Sequence, residues 1–203
     1  MLTIRNTPTT NASSVRILAR KEYSLADRYN NSFVNSVFSD NILLTLAYMT
    51  NVATQNEKVN WEKVDGNFTY KLVLQPNQTF AFHDQVLKQY KGKIAETTNA
   101  HFDSSEGFKS DGWLVGDGVC HLASFMNVVA QQAKLSVVAP TPHNFEKIAD
   151  VPKQYGVSIY YMPGNPTSSG LQNLYITNPY NKPIVFVFNH KNNELKISIE
   201  KLG

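Results

Sequence analysis

The chain has little cysteine, and this scarcity excludes whole classes of structure. A single cysteine stands among 203 residues, so a disulfide framework within the chain is impossible. The five histidines show no Cys/His spacing typical of a zinc site. The compartment is not fixed by this, because one thiol suits the cytosol and an envelope enzyme equally.

Strong charge and long apolar runs are also missing. The net charge is only +3, and no run of Lys or Arg indicates a nucleic-acid partner. No stretch reaches the roughly eighteen apolar residues that a membrane span needs, so any membrane contact would come through segments outside this chain. The start, Met1–Asn6, lacks the apolar core of a signal peptide. Of two explanations, a cytoplasmic protein or a piece of a longer one, we expect the second.

The order of apolar patterns predicts an α+β fold with N-terminal helices, a cysteine-bearing helix and a mainly antiparallel β-sheet. We expect residues 1–23 to be an N-terminal linker or extension ending in a brief strand, and residues 24–203 to be one domain. The expected elements are helices over 24–38 and from 39 or 40 to 49, a strand over 68–74, an extended piece at 80–82, a long loop over 87–111, a helix over 119–134, and strands over 135–139, 157–162, 170–176, 184–188 and 195–199.

The stretch Gly116–Ser124 carries the only cysteine and is the most informative part of the chain. It opens the predicted helix with Gly118 or Asp117 as N-cap. Cys120 then lies in the first turn, where unpaired N–H groups and the helix dipole favour a thiolate. We therefore expect a thiol pKa below the ~8.5 of free cysteine. The apolar stripe of this helix consists of Val119, Leu122, Ala123, Met126, Ala130 and Ala133.

The neighbours of Cys120 are set by helix geometry. At about 100° per residue, Ser124 and Asn127 share its flank, whereas His121 points away and is disfavoured as its partner. A carboxylate at Asp117 would hold the thiol pKa up, against the dipole. The alternative for Cys120 is a buried structural thiol, because free cysteine is among the most buried residue types. Both interpretations stay open.

A thiol nucleophile needs a base and N–H groups for the developing oxyanion. The N–H groups around Gly118 and Val119 can provide the pocket. His143 is the favoured base, because it follows the strand that leaves the cysteine helix and stands in a proline-stiffened turn.

Other candidates have weaker signals. His83 and His101 stand in polar connections and could approach the site, and His190 is expected in a solvated hairpin turn. Asn178 could orient a base as in Cys-His-Asn proteases, although an asparagine before proline is more often part of a turn.

The stretch GDGVCHLAS at 116–124 resembles the signature G-G-G-V-C-Q-[VL]-S-[ST] of the VanW family of bacterial envelope proteins. Four further segments are similar to family patterns, in order and at compatible spacing over roughly residues 40–190. They are LQPNQTFAF at 74–82 (L-x-P-G-E-x-F-S-F), PHN at 142–144 (an H-S segment), VSIYYMP at 157–163 (V-x-Y-V-P), and LYITN with KPI at 174–184 (D-L-x-F-x-N…P-I). Each is weak alone, and together they are specific.

The resemblance implies an extracytoplasmic domain of the cell envelope that acts on peptidoglycan stem peptides. The family is named for a gene of vancomycin-resistance clusters, and some members are L,D-transpeptidases. By this likeness Cys120 would form a thioester with a stem peptide, His143 would be the base, and neither cofactor nor metal would be needed. The possible supporting residues are Asp117, His121, Ser124 and Asn178. Two alternatives stay open: a cysteine peptidase or amidase with water as acceptor, and a non-catalytic cell-wall-binding domain.

The chain departs from the family pattern at four places. Asp117 replaces the second glycine, and His121 replaces the glutamine after the cysteine. The Arg-Asp-Ala that follows the V-x-Y-V-P segment is absent, with Asn-Pro-Thr-Ser at 165–168 instead, and an insert over about 145–155 follows His143. If the missing residues complete the site in other members, this chain would be a divergent enzyme or a binder.

Overall fold

The structure is a computed structural model, and it describes residues 15–113 and 115–203. The first fourteen residues of the predicted N-terminal extension lie outside the described residues. The remainder of that extension forms most of a ten-residue strand, Val15–Ser24, longer than the brief strand expected. The domain boundary at residue 23 stays a prediction.

The described residues form four α-helices and eight strands, interspersed with short 3₁₀ turns. The helices are α1 (Ser32–Met49), α2 (Trp61–Val64), α3 (Val119–Gln132) and α4 (Pro166–Leu171). The strands are β1 (Val15–Ser24), β2 (Phe68–Leu74), β3 (Thr79–Ala81), β4 (Ile94–Glu96), β5 (Ser136–Val138), β6 (Tyr175–Thr177), β7 (Ile184–Lys191) and β8 (Glu194–Leu202).

The strands make two four-stranded sheets, ordered β1-β8-β7-β2 and β4-β3-β6-β5. All pairings are antiparallel except that of β3 with β4. The predicted α+β class with mainly antiparallel pairing is therefore confirmed, with two sheets rather than one. The β7–β8 hairpin alternates buried and more exposed positions, as a half-buried antiparallel pair should.

One continuous helix, α1, replaces the two helices predicted over residues 24–49. Ser24 ends β1, and the helix begins after Asn31, whose side chain accepts from the N–H groups of Phe33 and Val34. Neither Gly nor Pro interrupts the sequence near residue 39, so nothing breaks the helix there. Its second half, Asn41–Met49, is buried on every side. The sequence there is therefore not amphipathic, and the alternation of apolar and polar faces that marks a surface helix is missing.

Helix α3 occupies the centre of the domain, since it packs against α1 and against strands of both sheets, β1 and β8 of one and β5 of the other. The six residues of its predicted apolar stripe are all buried. The predicted helix over 119–134 is therefore confirmed, and it ends two residues earlier than predicted, at Gln132.

Two predicted strands are wrong. Residues 157–162 run extended, but their N–H groups bond to side chains and loop carbonyls rather than to a neighbouring strand. Within 170–176 only Tyr175 and Ile176 are in a strand, because Asn165 caps α4 and Pro166 occupies its first turn. The predicted long loop over 87–111 contains β4 and two 3₁₀ turns.

No helix among the described residues is long and apolar enough to pass through a bilayer.

Candidate functional site

The turn before α3 is built around Gly118. This residue is the N-cap, has a φ of +99° and makes no side-chain cap bond. A Cβ at this position would collide with the backbone carbonyl of Phe38 in α1. Glycine is therefore required twice, by its left-handed backbone and by the close approach of α1.

Asn41 of α1, which the sequence does not single out, anchors the loop that leads into this turn. Its side chain is fully buried. The amide nitrogen donates to the carbonyls of Lys109 (2.9 Å) and Asp117 (2.8 Å), and the amide oxygen accepts from the N–H of Lys109 (2.8 Å). These three bonds fix the position at which the cysteine helix begins.

The polar flank of α3 holds the extended segment at 155–159. Asn127 donates to the carbonyl of Tyr155 (3.0 Å), and the hydroxyl of Ser124 accepts from the N–H of Val157 (2.9 Å). Cys120 continues the series, because its Sγ accepts from the N–H of Ile159 at 3.3 Å. Cys120, Ser124 and Asn127 therefore share one flank of α3, as predicted. They bond to alternate backbone positions, those of residues 159, 157 and 155.

The environment of Cys120 corrects the expected thiol pKa. The residue is partly exposed, but desolvation of the thiol and the charge of Asp117 outweigh the Ile159 N–H and raise the pKa of Cys120 to about 11. The expectation of a low pKa was wrong, since the thiol is overwhelmingly protonated at neutral pH. The catalytic role of Cys120 itself stays a prediction.

Asp117 does not cap α3, contrary to one of the two options predicted. Its carboxylate faces the N–H of Asp111 at 3.4 Å. Burial and the neighbouring carboxylate of Asp111 raise the pKa of Asp117 to about 6. The predicted effect of this carboxylate on Cys120 is confirmed in sign, because Asp117 raises the thiol pKa.

The predicted oxyanion donors are only partly free. The N–H of Val119 donates to the carbonyl of Gly116 at 3.1 Å, so of the predicted pair only Gly118 keeps a free N–H, and the oxyanion role of both stays a prediction. The N–H of Gly118 has no acceptor within residues 15–113 and 115–203, whereas the N–H of Cys120 faces its own Sγ and lowers the thiol pKa.

Among the described residues, no hydrogen bond joins His143 to the thiol of Cys120. Its Nδ1 lies 3.0 Å from the carbonyl of Glu146. Its backbone N–H bonds to the carbonyl of Gly156 (3.1 Å), three residues before the Ile159 that contacts Sγ. Three residues of extended chain span roughly 10 Å. The backbone positions that contact His143 and Cys120 are therefore separated by about that distance along the segment.

Comparison with known proteins adds the family. The family model described as VanW like protein matches residues 53–200. The chain belongs to the VanW-like family. Membership indicates a cell-wall-associated domain. No curated protein and no solved structure gives a significant match.

His121, where the VanW pattern has glutamine, is a buried core residue. Its ring meets the edge of Phe38 at 4.8 Å between centroids, and its Nδ1 has no partner among the described residues. Burial first, then the charge of Arg28, lowers the pKa of His121 to about 3. A neutral ring in this position packs α3 against α1.

Asn178, where the VanW pattern also has asparagine, serves a turn. Its amide donates to the carbonyls of Leu74 and Lys182, both at 2.9 Å, and accepts from the N–H of Tyr180. It thereby ties the end of β2 to the connection before β7. Among the described residues, Asn178 makes no hydrogen bond to an imidazole. A base-orienting role for Asn178 stays a prediction.

The other histidines are distributed through the fold. His190 is buried on β7, with Nδ1 2.9 Å from the carbonyl of Gly66, so the predicted solvated turn position is wrong. His83 is fully buried, and desolvation lowers its pKa to about 4. His101 is half-buried against the ring of Tyr161, at 4.1 Å between ring centroids.

Proposed function

We propose that this VanW-like domain is a peptidoglycan-directed cysteine acyl-transferase that cross-links stem peptides through a thioester on Cys120. The observation that carries the proposal is the placement of Cys120. The residue lies in the first turn of a central helix, directly after the Gly118 turn, whose N–H has no acceptor among the described residues. The cell-wall association of the family supports stem peptides as substrate and an extracytoplasmic location.

The reaction has two steps that conserve atoms. The sulfur of Cys120 bonds to the carbonyl carbon of a stem-peptide amide, the C–N bond breaks, and the departing amine takes the thiol proton. An amine of a second stem then bonds to that carbon, the C–S bond breaks, and the proton of the amine returns to the sulfur. The N–H of Gly118 would stabilise the oxyanion in each step.

The raised thiol pKa defines what the base must do. A thiol with a pKa of about 11 needs its proton removed as it attacks, so a base must approach once substrate is bound. The contact of His143 Nδ1 with a carbonyl requires that Nδ1 carries the hydrogen, because a carbonyl only accepts. The free lone pair then lies on Nε2, the atom suited to take the proton.

The test is turnover of purified muropeptides by the wild-type domain and by two substitutions of Cys120. Cys120→Ala removes the nucleophile, and Cys120→Ser keeps an acceptor for the N–H of Ile159 but is a far weaker nucleophile. We expect cross-linked products by mass spectrometry from the wild-type domain alone.

Other outcomes identify other functions. Shortened stems without cross-links would replace the transferase by a peptidase or amidase. Products from Cys120→Ala at the wild-type rate would refute any cysteine mechanism. Binding to isolated cell walls with no product from any form would establish a non-catalytic binding domain.

A further inference from the structure

A polar cleft of about 350 Å³ opens on the side of the domain that carries His101. Its walls come from the connection after α1 and from the residues that follow β3 and β4. The polar lining includes Thr54, Gln55, Asp84, Asn99 and His101. A cavity of this size accommodates a small polar group or a few atoms of peptide.

A buried carboxylate, Glu106, holds the wall at His101 in place. Its Oε2 accepts from the backbone N–H groups of His101 (2.7 Å) and Phe102 (2.8 Å), and its Oε1 accepts from the side chain of Gln55 (3.1 Å). Phe102 has a φ of +67°, which is unusual for a bulky residue. Glu106 therefore stabilises a backbone turn that would otherwise be unfavourable, and this turn presents the imidazole.

The imidazole of His101 stacks on one aromatic ring and faces one open carboxylate. The ring of Tyr161 lies against it with an interplanar angle of 24°. Oδ2 of Asp84 is 3.4 Å from Nε2, and the Asp84 side chain is 60 % exposed. The carboxylate of Asp84 is thus available to a ligand in the cleft.

The charge of the cleft opposes that of the chain. The chain as a whole carries +3, yet its lining residues include Asp84 and neither Lys nor Arg. Carboxylate, amide and hydroxyl groups suit a ligand that carries a primary ammonium group.

The cleft is linked to Cys120 by one short segment. Ile159 contacts Sγ with its N–H, and Tyr161, two residues further, stacks on His101. Two residues of extended chain span roughly 7 Å.

We propose that this cleft binds the amine-bearing stem peptide that accepts the acyl group, with its ammonium against Asp84 and its adjoining carbons against the ring of His101. The proposal rests on the proposed transferase function for the identity of the ligand.

The experiment measures binding, so that it is independent of turnover. The Cys120→Ala protein is titrated calorimetrically with a synthetic stem tripeptide that carries a free side-chain amine, and with the same peptide acetylated on that amine. We expect acetylation to weaken binding at least about tenfold, the loss of one charge-assisted hydrogen bond. Asp84→Asn should weaken the free-amine peptide by the same factor and leave the acetylated peptide unchanged. Glu194→Gln removes the same charge from an exposed position on β8 and should change neither affinity.

Three results would overturn the proposal: equal affinity for both peptides, an Asp84→Asn protein with unchanged selectivity, or no measurable binding of either peptide. An equal loss in Glu194→Gln would also overturn it, because the effect would then be that of net charge. Amine-selective binding combined with a failed turnover test would refute the transferase and leave the cleft as an ammonium site. Turnover without amine-selective binding would support the transferase and refute the cleft as its acceptor site. Thermal unfolding of Asp84→Asn checks that the variant is folded.

Discussion

Replacing Ser124 by alanine tests the idea that the polar flank of α3 positions the segment beside Cys120. The Ser124 hydroxyl is completely buried. It donates to the carbonyl of Cys120 (2.7 Å) and accepts from the N–H of Val157 (2.9 Å). Ser124→Ala deletes one oxygen and leaves the Val157 N–H buried without its partner.

The magnitude follows from those two bonds. An unsatisfied buried N–H costs about 1–3 kcal/mol. The carbonyl of Cys120 keeps its place in the helix, so the loss of the second bond adds little, and the better helix propensity of alanine returns about 0.5 kcal/mol. We expect a net loss of about 1–2 kcal/mol in the free energy of unfolding.

Urea denaturation measures this loss as a lower midpoint at an unchanged slope. The matched control is Ser36→Ala in α1, whose hydroxyl also bonds back to a helix carbonyl, that of Phe33 at 2.7 Å, but is exposed. We expect the control to stay within about 0.5 kcal/mol of the wild-type value. Thiol labelling of Cys120 gives a second readout and should accelerate in Ser124→Ala, because the segment that covers the sulfur is released.

The reasoning is refuted if Ser124→Ala and Ser36→Ala change stability equally. It is also refuted if Ser124→Ala lowers stability while the labelling rate of Cys120 stays at the wild-type value, since the flank would then stabilise the fold without positioning the segment at the sulfur.

Three further substitutions test the turn and the buried charges. Gly118→Ala should lower the free energy of unfolding by at least about 2 kcal/mol, because it combines a positive φ with a backbone clash, whereas Gly92→Ala, with a positive φ in open space, should cost only about 1 kcal/mol. His121→Phe should weaken acid denaturation. The unfolded chain takes up a proton on His121 near pH 6.5 while the folded chain resists to about pH 3, so the fall in stability between pH 7 and pH 5 should shrink by roughly 2 kcal/mol. Asp117→Asn should speed thiol labelling of Cys120 at pH 8, because the Asp117 charge raises the pKa of that thiol.

Each of these expectations has a result that contradicts it. Equal losses in Gly118→Ala and Gly92→Ala would show that the approach of α1 does not constrain the turn. Unchanged pH dependence of unfolding in His121→Phe would mean that His121 titrates normally in the folded chain. A labelling rate in Asp117→Asn no higher than in Asp27→Asn, an exposed-carboxylate control, would remove Asp117 from the electrostatics of the sulfur.

Much of the fold follows from local patterns. The apolar stripe of α3 and the β7–β8 hairpin are repeats of 3.6 and 2 residues, and such repeats are visible in any short window. The patterns failed where tertiary contacts replaced local ones. Residues 157–162 have the alternation of a strand, but their N–H groups bond to helix side chains and to loop carbonyls, which periodicity does not reveal.

The candidate site divides in the same way. The sequence by itself determined that the only cysteine begins a helix after a glycine turn, that Ser124 shares its flank and that His121 does not, because these follow from the geometry of one helix. The tertiary structure alone decided the ionisation of the thiol, because desolvation and the N–H of Ile159, thirty-nine residues away, act through space. It also decided that His101 lies beside Asp84 while His143 bonds to a carbonyl. The first contact joins segments seventeen residues apart, and the second is a local turn three residues long whose geometry the sequence pattern does not specify.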